Sequence, residues 1–274
     1  MSTITQMTPD EARKFMEGSK PDSFTLLDVR QESEYERDHI PGARLVPLSE
    51  LPDRFDELDR QRPLLVYCAS GGRSMAAAAL LQGQGFEDIN NLVGGMSAWE
   101  GDGAFGPMEL GMIAFTGAES PAEVILKAYA MENVLQAFYV QRADMAETME
   151  RIELFMELAG FEDKHKDVLY ELYTRTSEEV MSREEFEDVA LRNASDMAEG
   201  GVPVGEFMDR FPGAFDSDHG VLELASMIEA QALDYYLRCA MRARSEDTRD
   251  VLQLLAREEK AHLKLLARYM DKRD

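Results

Sequence analysis

The sequence predicts two unlike folds on one chain. Residues 1–103 read as an α/β domain with a mostly parallel sheet, residues 104–119 as a linker, and residues 120–274 as an all-α four-helix bundle. Three observations carry that expectation. Up to about residue 103, short β-type runs alternate with helical stretches, the pattern that builds a parallel sheet covered by helices. Gly101, Gly103, Gly106, Pro107, Gly111 and Gly117 then punctuate the chain, as expected of a connecting segment. From Ser120 onward the β-type runs largely vanish and long helical patterns take over.

In the first part, Phe24–Val29 and Pro63–Cys68 read as strands, being short apolar runs bounded by polar residues. Thr8–Glu17, Leu48–Leu58 and Ser74–Gln84 read as helices, and Thr8 with Glu11 has capping-box spacing. Within the linker, Met108, Leu110, Met112, Ile113 and Phe115 are too apolar for a free tether, so the segment is expected to pack on one of the domains. Ser120-Pro121-Ala122-Glu123 starts a helix well, with Ser as cap and Pro at the first helical position. Helical patterns follow near 121–146, 147–159, 161–176, 182–199, 220–244 and 246–272, with a second capping-box spacing at Ser182 and Glu185.

The formal net charge of −24 disfavours nucleic acid as a partner, because a phosphate backbone would be repelled. No run approaches the roughly 18 apolar residues that a membrane span requires. The first residues show neither a basic region nor an apolar core, so a cytoplasmic protein is expected. In that setting the two cysteines, Cys68 and Cys239, are not expected to form a structural disulfide.

The second part repeats itself at an offset of 97 residues. Glu132 falls on Glu229, Tyr139 on Tyr236, Glu162 on Glu259 and His165 on His262. Helical positions three apart share a face, so Glu162 and His165 point to one place, as do Glu259 and His262. Apolar neighbours such as Val134, Leu135 and Phe138 turn the Glu132 face into a core. Four carboxylates and two imidazoles facing a core are costly unless something pairs them, and metal ions would. One Glu from each of two helices plus Glu-x-x-His from each of two others is the dimetal-carboxylate arrangement. The expected ligands are therefore Glu132, Glu162, His165, Glu229, Glu259 and His262. This donor set suits two metal ions, iron foremost, with manganese and zinc as alternatives, held about 3.5–4 Å apart.

On these residues the segment resembles the rubrerythrin branch of the ferritin-like superfamily. Two helical hairpins joined by a long connection over about 177–220 agree with one-crossover topology. Rubrerythrins often carry a further iron site of two Cys-x-x-Cys pairs, and this chain has no such pair. The resemblance therefore implies a structure more firmly than a peroxidase activity. Tyr139 and Tyr236 read as core residues with satisfied hydroxyls.

Cys68 closes an apolar strand and opens Cys68-Ala69-Ser70-Gly71-Gly72-Arg73-Ser74, which runs into an alanine-rich helix. Strand, tight loop and helix start gather backbone N–H groups around one point, an anion cradle. A thiolate there is favoured by those dipoles and by Arg73 nearby, and the chemistry implied is nucleophilic attack by sulfur. Cys239 reads as a small buried core residue, and His219 receives no role.

Cys68-x-x-Gly71-x-Arg73, Asp28-Val29-Arg30, His39-Ile40-Pro41-Gly42-Ala43 and Gly94-Gly95-Met96-Ser97-Ala98-Trp99 stand in the order found in rhodaneses, and the first hundred residues resemble one whole rhodanese domain. The resemblance implies that Cys68 takes sulfane sulfur from thiosulfate or a persulfide and passes it to a thiol or cyanide. Ala69, Ser70, Gly71, Gly72, Arg73 and Ser74 would bind the substrate. Arg73 would hold the anionic end of the donor, and the six-residue loop has the sulfur-type length. Asp28 and Arg30 read as structural support, and His39 as a turn residue. Three readings follow: a sulfurtransferase fused to a dimetal domain of redox or peroxide-handling role; a persulfide sensor or carrier with an iron-storing or oxygen- or peroxide-reactive bundle; and a bundle serving as a dimerisation scaffold, hence a homodimer.

Overall fold

The computed structural model describes residues 4–20, 23–112, 115–177, 181–192 and 197–271. The chain divides into two compact units, Met1–Glu109 and Leu110–Asp274. Among the described residues no helix is long and apolar enough to cross a membrane.

The first unit contains β1 (Ile4–Met7), α1 (Pro9–Gly18), β2 (Thr25–Asp28), α2 (Glu32–Arg37), β3 (Arg44–Leu45), β4 (Leu64–Tyr67), α3 (Gly72–Gly83) and β5 (Ile89–Leu92). The five strands form one parallel sheet in the order β1-β5-β4-β2-β3. Central strand β4 explains why Leu64-Leu65-Val66-Tyr67-Cys68 is apolar without alternation: both its faces are covered. Leu64, Val66 and Cys68 pack with Ala77, Ala78 and Leu81 of α3. Leu65 and Tyr67 point the other way and pack with Ala12 of α1 and Tyr35 of α2. The Thr8–Glu11 capping box forms as the spacing predicts.

The expected helix over Leu48–Leu58 is not formed. Two 3₁₀ turns, Leu51–Asp53 and Phe55–Glu57, stand there instead. Pro52 is the reason: inside a helix begun at Leu48 it could not donate to the preceding turn, and its ring would strike that turn's carbonyl. At the start of a 3₁₀ turn neither penalty applies.

The linker does not belong to one partner. His39 and Ala104 exchange both backbone hydrogen bonds at 2.8 Å, the Gly106 amide donates to the Glu36 carbonyl, and Met108 packs in the first unit. Past the division, Leu110 O accepts from Arg238, and Met112 and Phe115 enter the core of the second unit. Ile113 lies outside the described residues.

The second unit is built from α4 (Pro121–Met145), α5 (Met149–Thr176), α8 (Asp218–Arg242) and α9 (Glu246–Met270). Between α5 and α8 lie α6 (Arg183–Arg192), the short antiparallel pair β6 (Met197–Ala198) and β7 (Val202–Pro203), and α7 (Val204–Arg210). Helices α4 and α5 form one hairpin and α8 and α9 another, and all four share one core through Ile125, Leu169, Tyr236 and Leu252. Pro121 and Asp218 open α4 and α8, and Met149 and Glu246 open α5 and α9, so both pairs begin at the same 97-residue offset.

Two expectations are corrected here. The separate helices at 147–159 and 161–176 are one continuous helix, α5. Gly160 sits in the gap between the two expected ranges, but an interior glycine costs only about 1 kcal/mol, and packing along α4 outweighs that. The helix expected over 182–199 ends at Arg192; residues 193–196 are outside the described set, and Met197–Ala198 is already strand. The caps at Ser120 and Ser182 form as read.

Candidate functional site

Cys68 follows β4, and Asp28 ends β2 beside it in the sheet. From β2 the chain crosses to β3 on one side, and from β4 it crosses to β5 on the other. The carboxyl ends of β2 and β4 thus flank the switch point of the sheet, where open parallel sheets bind ligands.

The loop after Cys68 is shaped by backbone more than by side chains. Gly71 takes a φ of 96°, a left-handed conformation open to glycine, and it caps α3. That turn brings the Gly71 amide to 3.1 Å from Cys68 Sγ. Ser74 Oγ lies 3.1 Å from the Gly71 carbonyl oxygen. A second glycine supports the loop from below. The amides of Met96 and Ser97 donate to the carbonyls of Cys68 and Ala69 at 2.8 and 2.9 Å. A Cβ on Gly95 would lie 2.1 Å from the Cys68 carbonyl oxygen. The Gly94-Gly95 element therefore lets two backbones meet under the nucleophile.

The Cys68 thiol is nearly absent from the surface, and its pKa is lowered. Burial alone would push it up. The Ser74 hydroxyl and the amides of Ser74, Ser70 and Gly71 reverse that by donating to sulfur. Arg73, expected from the sequence to favour the thiolate, is not among these leading causes. Its two terminal nitrogens donate instead to both oxygens of Glu34, at 2.6 and 2.7 Å.

The other expected residues fall as follows. Ala69 and Gly71 are half-buried, Ser70 and Gly72 exposed, Arg73 half-buried and Ser74 buried. Arg30 donates to both oxygens of Asp28 and also to Asp38, so Asp28 and Arg30 form a buried pair that secures the end of β2. His39 is buried, stacked on Tyr35 at 3.7 Å, with Nδ1 2.8 Å from the Tyr35 carbonyl. Glu34 was missed in the sequence. The signal was present: Gln31 and Glu34 are three apart just after Asp28-Val29-Arg30, and the Gln31 amide donates to Glu34 at the start of α2.

The second unit brings its six expected donors together from four helices. His165 Nδ1 lies 3.0 Å from Glu162 and 3.4 Å from Glu132. His262 Nδ1 lies 3.0 Å from Glu259 and 3.5 Å from Glu229. The two imidazoles stack at 3.5 Å and 6°. The donor atoms of Glu132, Glu162 and His165 fall within 4.8 Å of one another, and so do those of His165, Glu229 and His262. Among the described residues, Glu162 Oε2, His165 Nδ1 and Glu229 Oε2 are buried without completing a hydrogen bond. Buried polar atoms of this kind are costly, so the donor set fits metal ions.

Tyr139 and Tyr236 are buried. Cys239 is buried, its thiol donating to Met112 Sδ at 3.9 Å, and burial pushes its pKa up to about 12. His219 is exposed beside Glu223.

The rhodanese-like domain family matches residues 8–102. Thiosulfate sulfurtransferase GlpE of Pseudomonas syringae is 33% identical over 99 residues, which are 36% of this chain and 90% of that protein. Putative sulfur carrier protein YrkF of Bacillus subtilis is 42% identical over 80 residues; the match spans 29% of this chain and 43% of YrkF. A rhodanese-like domain protein from Staphylococcus aureus, known as a crystal structure, is 32% identical; the match covers 35% of this chain and 91% of that one, with a TM-score of 0.33. The chain belongs to the rhodanese-like family through its first unit.

Proposed function

We propose that the first unit is a sulfurtransferase that carries sulfane sulfur as a persulfide on Cys68. The observation that supports this most directly is the Gly71 amide aimed at Cys68 Sγ from 3.1 Å, within a loop that lowers the thiol's pKa. With thiosulfate, the Cys68 thiolate attacks the outer sulfur. A Cys68 S–S bond forms, the donor S–S bond breaks, and sulfite leaves with the electron pair. The loop amides then stabilise the persulfide anion. Attack by cyanide or a thiolate on the outer sulfur returns the Cys68 thiolate and gives thiocyanate or a new persulfide. Incubation with thiosulfate and cyanide should yield thiocyanate in the native chain and none above background in Cys68→Ser. Equal thiocyanate from both chains would end this reading.

For the second unit we propose a ferritin-like dimetal site held by Glu132, Glu162, His165, Glu229, Glu259 and His262. Bound iron or manganese would supply one-electron redox chemistry, and zinc would supply charge alone. The protein's own part is to hold four carboxylates and two imidazoles away from water in one orientation. Metal analysis after anaerobic loading should find two equivalents in the native chain. Glu162→Gln with His165→Ala should lose at least one of them and the metal-dependent rise in melting temperature. Retention of both metals by that variant would discard the ligand assignment.

A further inference from the structure

The charge around the sulfur loop does not agree with strong attraction of a dianion. Two guanidiniums stand near the loop, and carboxylates engage both. Arg30 is taken by Asp28 and Asp38. Arg73 is taken by Glu34 through a two-point contact at 2.6 and 2.7 Å. Such a bidentate pair is among the stronger ionic contacts. Both partners are largely shielded, with side-chain exposures of 34% for Arg73 and 23% for Glu34. Each guanidinium near the loop is thus already matched by carboxylate. Attraction of an anion then rests on the amides around Cys68, which suit one small negative charge at sulfur.

Glu34 is also fixed from behind. Its Oε2 accepts from the Gln31 amide at 3.1 Å, so the start of α2 anchors it. The Arg73 side chain supports the pair in turn, holding the Glu34 carboxyl down at about 2. Glu34 therefore remains charged wherever sulfur transfer would be assayed.

We infer that Glu34 is the specificity-determining residue of the sulfur loop: by holding Arg73 and cancelling its charge, it turns the site from the thiosulfate dianion toward singly charged persulfide donors. The inference rests on the sulfur-transfer reading of Cys68. Such a donor, R–S–S⁻, reacts after taking up a proton from water: the Cys68 thiolate attacks the outer sulfur of the resulting R–S–SH. The donor S–S bond breaks, R–S⁻ leaves with the electron pair, and Cys68 holds S–SH. Glu34 touches neither sulfur; it acts through Arg73.

The test compares thiosulfate with 2-hydroxyethyl persulfide as donor, both with cyanide as acceptor, in the native chain, Glu34→Gln and Glu34→Asp. Glutamine can keep the capping contact at the start of α2, so Glu34→Gln removes chiefly the charge. Its ratio of KM for thiosulfate to KM for persulfide should fall about fivefold or more, as expected for removing one charge beside a dianion. Glu34→Asp, which restores the charge, should return the ratio toward native. An unchanged or raised ratio in Glu34→Gln overturns the inference. A second measurement needs no variant: in the native chain, added salt should screen the repulsion and lower the same ratio, and a ratio that rises with salt also overturns the inference. Intact-mass measurement separates the two failures. If neither donor adds sulfur to native Cys68, the sulfur-transfer reading itself fails and takes the role of Glu34 with it.

Discussion

Cys68 and Cys239 are both almost absent from the surface, at 1% and 0% exposure, yet their thiols are pushed in opposite directions. Burial raises both. At Cys239 little answers it, and the pKa reaches about 12. At Cys68 a serine hydroxyl and three amides donate to sulfur, and the pKa falls below its ordinary value. Burial alone does not make a cysteine inert; the count of donors aimed at sulfur decides. A strand-loop-helix turn leaves amides free to aim, whereas mid-helix the amides of α8 are spent on the helix itself.

The largest difference between the two thiols should appear on alkylation in the folded chain. Iodoacetamide at neutral pH should modify Cys68 at least a hundredfold faster than Cys239, and the difference should collapse in denaturant. Comparable rates in the folded state would remove the contrast. Gly95→Ala should come next. The added Cβ meets the Cys68 carbonyl, and neither backbone can retreat freely. The expected cost is about 1–3 kcal/mol of stability, read as a lowered melting temperature, together with slower Cys68 alkylation. The smallest effect should come from Ser74→Ala. Loss of one donor to sulfur raises the Cys68 pKa, so the pH at which alkylation reaches half its limiting rate should move up while Cys239 stays unchanged. The sign is fixed by the thiolate being the reactive form, and a downward shift would show that the hydroxyl does not act on sulfur.

What the sequence could show depended on how locally each feature is encoded. The Cys68 loop was legible because loop, strand end and helix start are contiguous. The six donors of the second unit were legible for a different reason: a helix repeats its faces, and a 97-residue offset repeats the helices. Glu34 was missed because its partner lies far along the chain, and one carboxylate on a short helix resembles any other surface acid. The apolar spacing of Leu48–Leu58 suggests a helix, but Pro52, whose missing N–H is a local fact, breaks it into 3₁₀ turns. At Gly160, between the ranges 147–159 and 161–176, the opposite holds: a weak local signal gives way to packing along α4. Arg73 was placed correctly in the loop, but its engagement by a carboxylate could not be read from the loop alone.

The doubled hairpin gives the second unit an internal control. Its halves share their donors but not their surroundings. Gln136, Asp163 and Lys166, where Lys166 Nζ lies 2.6 Å from Gln136 Oε1 and 3.4 Å from Asp163 Oδ1, occupy positions that the repeat fills with Leu233, Lys260 and Leu263. A substitution in one half can be read against its counterpart in the other, under the same solvent and in the same molecule. The 97-residue repeat thus sets two versions of one design in one molecule, one with a polar trio beside its carboxylates and imidazole and one with two leucines and a lysine at the matching positions.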